Sequence, residues 1–240
     1  MTKKGFSYIG MILDRSGSMD SIRKDVIGGV RTFISDQKKV PGKAVMSLYQ
    51  FDDKYQVDYE AVDIQSVPEF TEESFIPRGS TALLDAVGRT TVGIGAAIAK
   101  MPEEERPDQV LLVIFTDGAE NHSTEYTIER IREMLKIQQE VYKWKVLFLG
   151  ANIDAVSTGA KYGMKGMNFS GASGSQGMLR SMKAASAYVG SSRLGDSKTA
   201  NAIYASNDAN DSVVRSATEA FDNQLKNEPT EKSDDASKTP

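Results

Sequence analysis

The chain has 240 residues, with 29 basic and 33 acidic side chains, a formal net charge of −4, no cysteine and one histidine, His122. Its length and 40% hydrophobic content fit one large domain, or one domain plus a tail. Zinc fingers, thiolate clusters, two-histidine protease sites and Cys-His nucleophile pairs are therefore excluded, and any metal must be held mainly by oxygen, which suits Mg2+, Mn2+ or Ca2+.

Mild acidity without a dense Lys/Arg stripe argues against a nucleic-acid partner. The longest candidate for a targeting segment is residues 6–13 after Lys3 and Lys4, but Asp14 cuts it off and no small-residue cleavage site follows. It reads as a strand. No apolar run approaches the roughly 20 residues of a membrane helix, so a soluble protein without membrane contact is expected. The lack of cysteine fits a cytoplasmic location.

In chain order, residues 8–13, 110–115 and 146–149 are apolar runs that end in polar or glycine residues, the pattern of buried parallel strands. Helical periodicity links Ile22, Val26, Val30 and Phe33, then Leu84, Val87, Thr91, Ile94 and Ile98, then Ile128, Ile131, Leu135 and Gln138. Strands alternating with helices predict a wound α/β sheet. Residues 44–51 and 55–64 flank Asp52-Asp53-Lys54, which predicts a hairpin with one antiparallel edge strand. Asp52 and Asp53 are then turn residues.

Gly28, Gly29, Gly88, Gly93 and Gly95 interrupt helical patterns and are expected where helix backbone packs closely on its neighbours. Gly171 to Gly177 matches no nucleotide-binding fingerprint and reads as a flexible connector. Met178, Met182, Ala185 and Val189 then mark a helix with an adaptable apolar face. Residues 191–208 are small and polar. Val213, Ala217, Phe221 and Leu225 form a last helical face, with Asp208 and Asn210 as candidate caps. From residue 227 onward, two basic and four acidic side chains and no large apolar residue predict a disordered acidic tail. The expected division is one α/β domain over 1–190, a polar connector with a C-terminal helix over 191–226, and the tail over 227–240.

The chemistry concentrates in three short stretches. The first strand runs into Asp14-Arg15-Ser16-Gly17-Ser18, the second long strand ends in Thr116-Asp117-Gly118, and Arg78-Gly79-Ser80-Thr81 leads into a helix. If the strands are parallel, both carboxylates lie at carboxyl ends of the sheet, where open α/β sheets bind ligands. Two carboxylates about 5 Å apart would repel by roughly 3 kcal/mol at an effective dielectric near 20, which calls for a cation or a shared proton. Asp14, Ser16, Ser18, Thr81 and Asp117 form an all-oxygen set suited to a hard divalent ion. With neutral hydroxyls nearest the ion, it would stay electron-poor and seek one more anionic oxygen.

The DRSGS, GSTALLD and TDG segments, in this order at these element boundaries, resemble the metal-ion-dependent adhesion site of von Willebrand factor type A domains. The resemblance spans about residues 5–190. It implies a three-layer Rossmann-like α/β fold with a mostly parallel sheet, one antiparallel edge strand and helices on both faces. It further implies that Ser16, Ser18 and Thr81 bind Mg2+ or Mn2+ directly or through water, with Asp14 and Asp117 in direct or water-mediated roles. Ca2+ fits the same oxygens. A partner protein's Asp or Glu would complete the coordination.

Arg15 is expected to be exposed, as an ordinary solvated charge or a steering charge for an acidic partner. His122 is expected on the rim of the same face without a role. Asp85 either orients the Thr81 loop or favours the helix dipole. Glu72, Glu73 and Glu103 to Glu105 read as solvated faces. Against an enzyme, position 16 is Ser, so the Asp-x-Asp pattern of aspartate-nucleophile phosphatases is absent. His122 is the only histidine base, and no Gly-x-Ser-x-Gly elbow exists. A metal-dependent, non-enzymatic interaction module is expected, the alternatives being a structural subunit with metal-stapled loops or a metal-assisted hydrolase.

Overall fold

The first strand, β1 (Lys3–Asp14), is the centre of the molecule, and its residues from Ile9 to Asp14 are almost entirely buried. A strand with both faces buried must be covered by helices on both sides, which is why its sequence is a continuous apolar run. A computed structural model describes residues 3–150, 154–168 and 175–227. After β1 come α1 (Arg23–Lys39), the hairpin strands β2 (Lys43–Phe51) and β3 (Tyr55–Asp63), α2 (Leu83–Ala99), β4 (Pro107–Thr116) and α3 (Ile128–Glu140). Then follow β5 (Lys145–Gly150), α4 (Ala155–Tyr162), β6 (Lys165–Asn168), α5 (Ser175–Arg193), α6 (Ser197–Ala205) and α7 (Ser212–Asn227).

Among the described residues six strands form one sheet in the order β3-β2-β1-β4-β5-β6, with every pair parallel except β2 and β3. The antiparallel hairpin lies at the edge, as its sequence predicts. Because β1 sits between β2 and β4, the chain first winds one way from β1 and then returns to its other side. The carboxyl ends of β1 and β4 therefore flank the point where strand order reverses.

Two apolar layers cover the sheet. On one face α1, α5, α6 and α7 pack through Val26, Phe33, Met182, Ile203 and Phe221, and on the other α2, α3 and α4 pack through Val87, Ile94, Leu135 and Tyr162. Met178 and Met182 lie in the first layer, which agrees with their reading as core. Arg193 ends α5 inside this layer, where its guanidinium donates to the carbonyls of Gln37, Val40 and Gly42 and so satisfies the chain leaving α1.

Several sequence expectations need correction. Gly29 and Gly88 do sit at close approaches, since an added Cβ would come within 2.8 Å of Met182 and 2.5 Å of Tyr126. Gly28 meets only ordinary contact, and Gly93 and Gly95 face open space, so no packing requires them. The predicted connector 171–177 is helical from Ser175 onward, while 171–174 lie outside the described residues. The polar stretch 191–208 carries the end of α5 and all of α6, whose N-cap Asp196 accepts the Thr199 N–H. In α7 the buried residue of the first turn is Val214 and not Val213, which is 52% exposed. Asp211 takes the Val213 N–H at the helix start, while Asp208 holds the preceding turn by accepting from the Asn210 N–H. Of the tail expected over 227–240, Asn227 ends α7 and 228–240 lie outside the described residues.

Candidate metal centre

The pairing of β1 with β4 runs in register through Leu13 and Phe115. The residues that follow, Asp14 and Thr116, are consequently side by side at the sheet edge, and the Thr116 hydroxyl donates to Asp14 Oδ2 at 2.5 Å. The other Asp14 oxygen accepts the Ser16 N–H at 2.7 Å, which closes the loop tightly after the strand. Ser16 Oγ lies 3.1 Å from Ser18 Oγ, and Ser18 Oγ donates to Asp117 Oδ1 at 2.6 Å. A Cβ placed on Gly118 would lie 3.2 Å from Thr81 Oγ1, 3.7 Å from Ser18 Oγ and 3.9 Å from Asp14 Oδ2. Oxygens from three separated stretches therefore meet in one small volume. A Cβ at position 118 would border that volume, tightest against Thr81 Oγ1.

Four of the five residues are buried, and Ser18 is exposed together with Gly17. The set opens to solvent on the Ser18 side. Burial pushes the Asp14 carboxyl up to about 6 against the opposing pull of the Thr116 and Ser16 hydrogen bonds, and burial also raises Asp117. Among the described residues neither carboxylate has an ion-pair partner. Two buried acids without a protein counter-charge, beside three hydroxyls, have the donor chemistry of a hard divalent ion. No three His, Cys, Asp or Glu side chains gather into a metal-holding group among the described residues. The hydroxyls would thus supply most of the ligands.

The loop carrying Asp117 is locked to the start of α2. The Thr81 N–H donates to Asn121 Oδ1 and the Asn121 N–H returns to the Thr81 carbonyl. Asp85 accepts the N–H groups of Thr124, Glu125 and Tyr126, while Glu120 accepts the Leu84 N–H and those of His122 and Ser123. Of the two roles considered for Asp85, the structure supports an orienting one, fixing loop 118–126 against the helix that follows Thr81. His122 is exposed on that loop, as expected.

Arg15 overturns its expectation of exposure. It is 5% exposed, with Nε 3.0 Å from Asp52 Oδ2 as an ion pair rather than an aligned hydrogen bond, and with Nη1 donating to Gln56. Asp52 does serve its turn by accepting the Lys54 N–H, but it also accepts from Arg78 Nε at 2.9 Å. Thr116 and Asp52 were not among the predicted site residues. The strand register next to Asp14 is the signal that finds Thr116, whereas nothing local marks Asp52.

Solved structures with this architecture include a von Willebrand factor type A protein from Catenulispora acidiphila, with a TM-score of 0.52 and 15% identity over 73% of this chain and 41% of that one. The chain has the von Willebrand factor type A fold. The D319A mutant of the PilB minor pilin from Streptococcus sanguinis shares it at a TM-score of 0.56 and 12% identity, over 80% of this chain and 63% of the pilin. Proximal thread matrix protein 1 from the mussel byssus does so at 0.53 and 12%, over 80% of this chain and 46% of that protein. The chain thus spans less than two thirds of the length of each of these three chains. No protein-family model and no curated protein matches the sequence.

Proposed function

We propose that this chain is a metal-dependent protein-interaction module in which Asp14, Ser16, Ser18, Thr81 and Asp117 hold Mg2+ or Mn2+ and a partner's acidic side chain binds there. The observation that carries the reading is the pair of buried, uncompensated carboxylates converging with three hydroxyls on the open Ser18 side. When bound, the ion supplies a Lewis-acidic contact for a partner's carboxylate oxygen. The chain's own part is to hold these oxygens in place through the Thr116 and Ser16 contacts and the Asn121 clamp.

Capture is favoured over a purely internal staple because Ser18 and Gly17 are exposed, whereas a staple needs no open side. A hydrolase is disfavoured because His122, the one imidazole, is an exposed loop residue and donates only its backbone N–H to Glu120 within the clamp. Among the described residues no helix is long and apolar enough to cross a membrane. A cytoplasmic location rests on the absence of cysteine alone, since neighbours in fold include a pilin and a byssus matrix protein.

The decisive test is calorimetry on the double variant Ser16→Ala, Ser18→Ala. It should keep the native circular dichroism spectrum and lose Mg2+ and Mn2+ binding. Unchanged affinity would remove the assignment.

A further inference from the structure

We infer that Asp52 is a positioning residue for the proposed ion site, setting the spacing between the loop of Asp14, Ser16 and Ser18 and the loop of Thr81. The inference rests on the function proposed above. Asp52 lies outside all three motif segments, directly after β2, and its side chain has no exposed surface. Its Oδ1 is occupied by the Lys54 N–H at 2.6 Å. The single remaining oxygen, Oδ2, therefore serves two guanidinium groups, Arg15 at 3.0 Å and Arg78 at 2.9 Å.

Those arginines belong to different loops. Arg15 stands between Asp14 and Ser16, and Arg78 precedes Gly79, Ser80 and Thr81. The backbones run side by side, with Arg78 N–H donating to the Arg15 carbonyl at 2.8 Å and Gly17 N–H to the Gly79 carbonyl at 3.2 Å. The Asp52 carbonyl accepts the Ala82 N–H at 3.0 Å, immediately after Thr81. Gly79 has φ +68 and a Cβ there would come within 2.2 Å of Asp53 Oδ1, so the Thr81 loop is seated against this same hairpin turn. One residue thus touches the chain neighbours of the donors in both loops, through side chain and backbone alike.

Neutralising Asp52 leaves Arg15 buried without its counter-charge, and the relief available is movement of residues 14–16, which displaces two of the five donors. An ion that demands near-octahedral geometry tolerates this poorly. Changes to groups that hydrogen-bond a metal ligand cost about 10- to 100-fold in affinity, and Asp52 acts one step further back, through Arg15, Arg78 and Ala82, so its effect should fall at the lower end of that range. Asp52 belongs to neither of the two apolar layers that hold most of the fold, so Asp52→Asn is expected to fold, though with lower stability.

The test is Mn2+ calorimetry on the full chain, comparing wild type with Asp52→Asn, Arg78→Gln and the distant core variant Phe221→Leu, with amide exchange measured in EDTA. Asp52→Asn should lose about tenfold in affinity, Arg78→Gln should lose less, and Phe221→Leu, though destabilised, should bind as wild type. The Gly17 and Ala82 amides should exchange faster in Asp52→Asn without any metal. Wild-type affinity in Asp52→Asn, or an equal loss in Phe221→Leu, would overturn the inference while leaving the ion site standing. Should Asp52→Asn fail to fold, Arg78→Gln decides alone, wild-type affinity there overturning the proposal. A wild-type chain that binds no Mn2+ would overturn the ion-site reading itself, and this inference with it.

Discussion

A carboxylate with no exposed surface and two guanidinium neighbours stabilises a fold only while it is charged. For Asp52 burial alone would raise the pKa, but the Arg78 hydrogen bond, the Lys54 N–H and the nearby Arg15 charge outweigh it and hold the carboxyl below its ordinary value. Its stabilising contribution is complete above the unfolded-state value near about 4 and is lost as pH falls through the lower folded-state value. Asp52→Asn should therefore be less stable than wild type by about 3 kcal/mol at neutral pH, with the gap narrowing below about pH 4. Urea midpoints at the two pH values measure this, and a gap independent of pH would assign the effect to shape. None of it is legible locally. Asp52-Asp53-Lys54 between two strand-like segments has turn composition, and Arg15 stands in a polar loop, so each reads as solvated until the sheet brings residues 15, 52 and 78 together.

Helices differ in how plainly they announce themselves. The stripe of α1 is apolar at helical spacing and burial follows it through Val26, Val30 and Phe33, while of the α3 stripe only Ile131 and Leu135 are buried and Ile128 is exposed. By contrast α6 buries only Ala200 and Ile203, and α4 buries Ala155, Gly159 and Tyr162, faces too small or too broken for periodicity to register. Their ends carried the better signal. Asp154 and Asp196 cap these helices by accepting N–H groups three residues on, and Gly163 ends α4 at φ 76. In α7 the close approach is to α5, where a Cβ on Gly190 would fall 2.2 Å from the Phe221 ring. Gly190→Ala should cost about 1–3 kcal/mol by overpacking, and Phe221→Ala about 3–5 kcal/mol by cavity formation. The double variant should lose less than both together, because the space left by the ring admits the new methyl group. Chemical denaturation of the four proteins completes the cycle, and strict additivity would mean that the two helices do not share this contact.

At the scale of the whole molecule, the donor set is a property of topology. Asp14 and Asp117 are 103 positions apart, yet parallel pairing of β1 with β4 makes them neighbours, and the return of the chain between them delivers Thr81 to the same edge. This much is legible, because the strand runs and the residues that follow them fix which ends carry oxygen. The clamp is legible only at Asp85, for which an orienting role is one of two sequence readings, and not at Asn121 and Glu120, since the donors they accept or pair with are backbone N–H groups with no sequence signature. Two acids without a counter-charge at one sheet edge repel each other, and on the function proposed above a divalent ion would relieve this, so its binding would be coupled to folding. With the ion at about 100 times its dissociation constant, linkage adds about 2.7 kcal/mol. For a domain of this size each kcal/mol is worth about 2–4 °C in melting temperature. Wild type should melt about 5–11 °C higher in Mg2+ or Mn2+ than in EDTA, while the Ser16→Ala, Ser18→Ala variant should melt at the same temperature in both. Differential scanning calorimetry reads the comparison directly, and equal shifts in the two proteins would place the ion somewhere other than at the carboxyl ends of β1 and β4.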